Sequence, residues 1–228
     1  MKLPKIFVPE NSLGNSLEKI LNKKVRIVKF EVLHAGGYYT TTYAKCIAEL
    51  KKQGRKPFTF SENIEARIAD YEANGKDAKL FDTWLSSVTG IAYKANSTKF
   101  KLILRSDKLE NITDLGQDFV PFNYDAEQGL EFDNTKGKYN QDLTREEAKN
   151  HEFWLAAMNG DKEKLDSYVD IWFDKTGAKR GMGICLRGIL YKDELRALTL
   201  NDDFLTSEAS DHNYLFSNPR FISNAQYS

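Results

Sequence analysis

The chain has 228 residues, 41% of them hydrophobic, enough apolar material to bury the core of one large domain or two small ones. Lys+Arg and Asp+Glu both number 33, so the formal charge is zero and the excess positive field that draws duplex nucleic acid or an anionic membrane is missing. No run approaches the roughly 18–20 apolar residues that span a bilayer, and Met1 to Glu10 lacks the apolar core of a signal peptide. Synthesis in a cytosol, without export or membrane insertion, is the expectation.

Asn15 or Ser16 is placed to cap a short helix through Asn22, and Val25 to Leu33 follows as a strand rich in β-branched residues. His34-Ala35-Gly36-Gly37 turns the chain into a helix on which Tyr43, Ile47 and Leu50 recur, stopped by Gly54. Ser61 is the expected cap of the next helix, with Ile64, Ile68 and Tyr71 as its apolar stripe and Asn74-Gly75 as its end. Leu80, Phe81, Trp84, Leu85 and Val88 predict a further helix. From Gly90 the period changes to that of a hairpin: Ile91-Ala92-Tyr93, a turn at Asn96-Ser97, then Phe100, Leu102 and Leu104 alternating with lysines.

Residues 106–141 read as a loop-rich insertion with one short strand at Leu130 to Phe132. Thr144 and Glu147 have capping-box spacing and open a helix through Trp154, Leu155 and Met158. After the break at Asn159-Gly160-Asp161 a second helix carries Leu165, Tyr168, Val169, Trp172 and Phe173, an aromatic stripe expected in the core. Met182 to Ile189 and Leu195 to Leu200 are strands joined by Tyr191-Lys192-Asp193. The pattern is that of an α+β protein, without repeats.

The residues that carry chemistry are scattered. His34, His151 and His212 stand apart, and Cys46 and Cys185 lie in separate apolar stretches, so neither a zinc site nor a disulfide framework is expected. No metal and no cofactor is assigned. Gly36-Gly37 followed by Thr40, Thr41 and Thr42 resembles an anion-binding helix start but lacks the P-loop lysine, and a glycine turn with a threonine cap accounts for it. Arg180-Gly181-Met182-Gly183 has the wrong glycine spacing for a dinucleotide fingerprint and reads as the start of a strand.

The C-terminus differs in composition. All 24 lysines lie at or before Lys192, where spreading in proportion to length would put about four beyond it. From Asn201 to Asn224 the chain is mainly Asn, Asp, Ser, Thr, His, Tyr, Phe and Leu, the mixture used by loop-borne recognition surfaces. Its aromatics, with Arg220-Phe221-Ile222 as a closing strand, mark it as folded.

Glu194-Leu195-Arg196-Ala197-Leu198, the Asn/Asp/Ser/Tyr-rich stretch and Arg220-Phe221-Ile222 together resemble the end of variable proteins of diversity-generating retroelements. The resemblance implies a C-type lectin-like fold, with helices packed on a largely antiparallel sheet. It also implies adenine-directed variation that yields no Lys, Glu, Gln, Met or Trp, and Asn201 to Asn224 contains only Glu208 of that set.

The expectation is then a single domain, residues 1–228, with 193–228 as the variable ligand-binding segment of a protein of viral or microbial-mobile-element type. Such a protein is cytoplasmic or virion-associated, and its partner is an unidentified protein or surface ligand rather than nucleic acid. The candidate ligand-binding residues are Asn201, Asp203, Phe204, Thr206, Ser207, Ser210, Asp211, His212, Asn213, Tyr214, Phe216 and Asn218. Two alternatives compete: a small hydrolase or transferase using His34 with a carboxylate in a cleft at the Gly36-Gly37 turn, and a purely structural assembly subunit.

Overall fold

A computed structural model describes residues 25–29, 31–34, 37–40, 43–82, 85–113, 120–176, 181–203, 206–210 and 220–225; strands within 25–40 and 201–225 are described by their backbone pairing. Strands β1 (Val25–Lys29), β2 (Glu31–His34) and β3 (Gly37–Thr40) precede helix α1 (Tyr43–Lys52) and strand β4 (Arg55–Pro57). Helix α2 (Phe60–Asn74) leads to the long strand β5 (Leu85–Tyr93), its partner β6 (Lys99–Ile103) and the one-turn helix α3 (Asp107–Glu110). Short strands β7 (Val120–Pro121), β8 (Leu130–Asp133) and β9 (Asn140–Leu143) are followed by helices α4 (Arg145–Lys149), α5 (Glu152–Ala157) and α6 (Lys162–Thr176). Strands β10 (Met182–Cys185), β11 (Glu194–Asp203), β12 (Thr206–Ser210) and β13 (Arg220–Ala225) complete the described chain.

The main sheet has the order β8-β6-β5-β11-β12-β10-β9, with β7 paired to the start of β11. Its pairs are antiparallel except β10 with β12. A second sheet sets β13 between β1 and β4, and β2 and β3 form a hairpin.

Apolar residues cover the centre of the main sheet on both faces. On one face, Leu85, Ile91, Leu198 and Leu200 pack with α2, α5 and α6 in a large cluster that includes Phe60, Trp154, Tyr168 and Trp172. On the other, Val88, Ala92, Leu195 and Ala197 meet Tyr43, Cys46, Ile47 and Leu50 of α1 and Leu109 of α3. A central strand buried on both faces reads as a continuous run rather than an alternating one, and β5 is buried at every position.

Ser86, Ser87 and Thr89 lie inside this strand because its ladder is interrupted. The register with β11 shifts between Ala197/Gly90 and Thr199/Ser86, leaving extra residues in β5 whose backbone groups need other partners. Ser87 Oγ donates to the Leu198 carbonyl at 2.6 Å, Tyr43 Oη to the Ser87 carbonyl at 2.8 Å, and Asn63 Nδ2 to the Ser86 carbonyl at 3.1 Å. Thr89 Oγ1 accepts from Phe60 N at 2.9 Å and donates to the Leu104 carbonyl at 2.7 Å. Thr89→Val keeps the shape and orphans both groups. It is expected to cost about 2–3 kcal/mol, seen as a lower urea midpoint with an unchanged slope.

Several sequence expectations change here. The predicted helix at Leu80 to Val88 is a single 3-10 turn, Leu80–Asp82, followed by β5; its hydrophobic spacing came from a turn and a fully buried strand placed end to end. Val25 to Leu33 is two strands in different sheets. Gly37–Thr40 pairs as β3 with β2, directly ahead of α1, where the sequence reading had only a glycine turn and a threonine cap. The cap of α2 is Thr59, not Ser61: Thr59 and Glu62 exchange the two capping-box bonds at 2.7 and 3.3 Å. The capping box predicted at Thr144 and Glu147 is present, but its helix breaks at Asn150-His151 into α4 and α5. Strands β10 and β11 both pair within the main sheet as expected, with β12 between them.

The expected hairpin after Gly90, the strand at 130–132, the C-terminal strand and the buried α6 stripe are all found. The segment 106–141 also supplies the start of β9 and the core residues Leu109, Tyr124 and Tyr139. The predicted helix at 15–22 lies outside the described residues.

Candidate functional site

Strand β11 runs from a buried core into the C-terminal segment, and its base is fixed by polar bonds. Glu194 and Arg196, two apart and so on one face, are both buried; Arg196 Nη2 and Nε donate to Glu194 Oε2 at 2.7 and 3.0 Å. The fully buried Arg67 of α2 donates to Tyr168 Oη at 2.8 Å and to the Leu200 carbonyl at 3.5 Å. Asn201 follows directly. Residues held on a strand anchored in this way are positioned more closely than residues on a loop.

The hairpin register sets Asn201 opposite Glu208, Asp202 opposite Ser207 and Asp203 opposite Thr206, with Thr199 opposite Ser210. Strand alternation therefore puts positions 199, 201, 203, 206, 208 and 210 on the sheet face of Leu195 and Ala197. Ser207 falls in step with Ala209, on the face of Leu200 and Ile184. Thus Asn201, Asp203, Thr206 and Ser210 of the sequence-selected set share one face and Ser207 takes the other. Phe204, Asp211, His212, Asn213, Tyr214, Phe216 and Asn218 lie outside the described residues.

The face extends across two more strands. Glu208 pairs with Gly183 and Ser210 with Cys185; in turn Gly183 pairs with Asp142 and Cys185 with Asn140. One row across the sheet is therefore Asp142, Gly183, Glu208, Asn201. Asn140 and Asp142 are exposed and Cys185 is half-buried. Asn140 is positioned by its Oδ1, which accepts from Leu186 N at 2.7 Å. Sequence reasoning missed these positions. The alternation of Thr206-Ser207-Glu208-Ala209-Ser210 does place Glu208 in step with its neighbours, but nothing local announces that the parallel pair β10–β12 brings 140–142 alongside.

The two cysteines report on this geometry. Cys46 is fully buried in the α1 cluster, where burial pushes its thiol well up, whereas Cys185 lies partly open on the polar face. Iodoacetamide is expected to modify Cys185 in the native protein and Cys46 only after unfolding, as read by peptide mass spectrometry. Equal labelling of both in the native protein would contradict this placement.

The histidines are dispersed. His34 ends β2 opposite Gly37, and His212 lies outside the described residues. His151 caps α5, its Nδ1 accepting from Phe153 N at 3.3 Å, and burial holds its imidazole below the usual range. Next to it, Glu152 accepts from Tyr139 Oη and Lys138 Nζ, which keeps its carboxyl low and ties the start of β9 to α5. Among the described residues no group of three or more His, Cys, Asp or Glu is placed to hold a metal ion. None of their helices is long and apolar enough to cross a membrane.

The mixed sheet, its two helical layers and the paired terminal strand define the class: this is a C-type lectin fold. A solved structure described as the accommodation of massive sequence variation in Nanoarchaeota by the C-type lectin fold is similar over 89% of this chain and 98% of that chain, with a TM-score of 0.63 and 16% identity. No family model matches the sequence, and no curated protein sequence matches it significantly.

Proposed function

We propose that this chain is a ligand-binding protein, one domain in which a fixed lectin-fold core presents a diversifiable surface built from residues 193–228. The observation that supports the reading most is the register of β11 and β12. It gathers Asn201, Asp203, Thr206 and Ser210, from the lysine-free segment, on one face beyond the anchored end of β11. Small polar residues on a rigid strand pair suit recognition, because their hydrogen bonds adapt while the backbone beneath them stays still. The similar structure belongs to a protein noted for massive sequence variation, and a shared scaffold makes the same use reasonable here. The partner in this reading is a protein or a surface ligand. No described site favours hydrolysis or group transfer over binding.

The test is to read many copies of the coding locus from one population. Differences confined to face positions between Asn201 and Asn224, with Glu194, Arg196, Leu198 and Leu200 constant, are expected. An invariant segment, or differences spread along the whole chain, removes the diversification reading.

A further inference from the structure

We propose that His151 is an acid-sensitive latch: a proton added to its imidazole releases the cap of α5 and loosens the corner between α4 and α5, together with the start of β9 that packs on it. The device is built into the fold and does not depend on what the candidate face binds.

Helix α4 ends at Lys149 and α5 begins at Glu152, so the chain turns on Asn150 and His151. His151 is half-buried, and its Nδ1 accepts the Phe153 N–H at 3.3 Å. An accepting Nδ1 belongs to a neutral imidazole whose proton sits on Nε2, and an imidazolium has no acceptor at all. Once Nδ1 carries a proton, two donors face each other, the side chain must leave the cap, and the Phe153 N–H loses its partner. The common capping residues Asn, Ser and Thr make the same bond with groups that do not titrate near neutrality; a histidine makes the cap conditional on pH.

The release reaches β9 through one side chain. The rings of Tyr139 and His151 meet nearly at right angles, with centroids 5.8 Å apart. Tyr139 is buried, and its Oη donates to Glu152 of α5. Its N–H donates to Asn134 Oδ1 at 2.8 Å and its carbonyl accepts from Leu186 N at 3.3 Å. The next residue opens β9, where Asn140 and Asp142 are exposed.

The charged groups that face the imidazole are Glu152, Lys138 and, from α4, Glu147. Burial opposes protonation most strongly and Lys138 adds to it, while the two glutamates favour it. The folded chain therefore takes this proton less readily than the unfolded chain. The stabilisation is complete above about pH 6.5 and is lost as pH falls through the depressed folded value. Glu152, held low by Lys138 and Tyr139, and Glu147, held low by Thr144, stay ionised as the pH first drops below that range, so the group that changes is the imidazole.

The experiment is a nuclear magnetic resonance titration of the full chain from about pH 8 to about pH 5, with His151→Asn as the comparison, because asparagine caps a helix and has no titrating proton. In the wild type the imidazole is expected to carry its proton on Nε2 at the alkaline end and to titrate below the ordinary histidine value. Hydrogen exchange of the Phe153 amide and of the β9 amides bonded to β10, corrected for the intrinsic effect of pH, is expected to quicken about tenfold with the same midpoint. His151→Asn is expected to remove that dependence and to leave exchange at the alkaline end unchanged. An imidazole that titrates at or above the ordinary value, Phe153 or β9 amides that ignore its titration, or the same acid response in His151→Asn overturns the latch. If the variant does not fold, the first two readings on the wild type decide.

Discussion

Replacing Glu194 with glutamine is expected to destabilise the protein by about 3–5 kcal/mol, because it leaves the buried Arg196 guanidinium without its carboxylate. Both side chains are 8% exposed, so water cannot take over the lost contact. Removing the pair together should be far milder: Glu194→Leu with Arg196→Met replaces two charges by apolar chains of similar bulk on the face that already holds Leu198 and Leu200. Urea unfolding of the three proteins separates the outcomes. A single variant as stable as wild type would mean that the pair is hydrated and does not anchor β11. The consequence for function is register. A one-residue slip of β11 would move Asn201 and Asp203 to the opposite face, and a buried ion pair at the other end of the strand opposes that slip.

Much of the fold was legible from local chemistry. Thr144 and Glu147 announced a helix start, Asn159-Gly160 a break confirmed by positive φ at both residues, and the Lys99 to Ile103 alternation a half-buried strand. Failures came where tertiary burial erased periodicity. Leu85 to Val88 looked helical because β5 is covered on both faces, and there the buried hydroxyls of Ser87 and Thr89 satisfy the backbone of an interrupted ladder. No window along the sequence contains Leu198 or Phe60, the residues whose backbones those hydroxyls serve.

The candidate face divides in the same way. Asn201, Asp203, Thr206 and Ser210 could be selected by composition, since they sit in the lysine-free segment. Ser207 was selected with them although alternation puts it across the sheet, because composition ignores parity. Asp142 and Asn140 could not be found at all: they join the face through two non-local pairings, β9 with β10 and β10 with β12.

That second contribution leads to a sharper test of the face itself. Gly181→Ala is expected to cost about 2–4 kcal/mol, because a Cβ there would lie 2.2 Å from the Leu143 carbonyl oxygen and 2.7 Å from its carbonyl carbon and nitrogen. All three atoms are backbone, so no side chain can rotate away; β9 and β10 must separate where Met182 pairs with Leu143. The neighbouring capping box at Thr144 would be strained as well. Gly188→Ala is the control: nothing lies within 4 Å of its added Cβ, and a change within about 0.5 kcal/mol is expected. Hydrogen exchange should quicken in β9 and β10 for the first variant only. If Gly181→Ala behaves like Gly188→Ala, β9 does not approach β10 this closely, and Asp142 does not belong to the face.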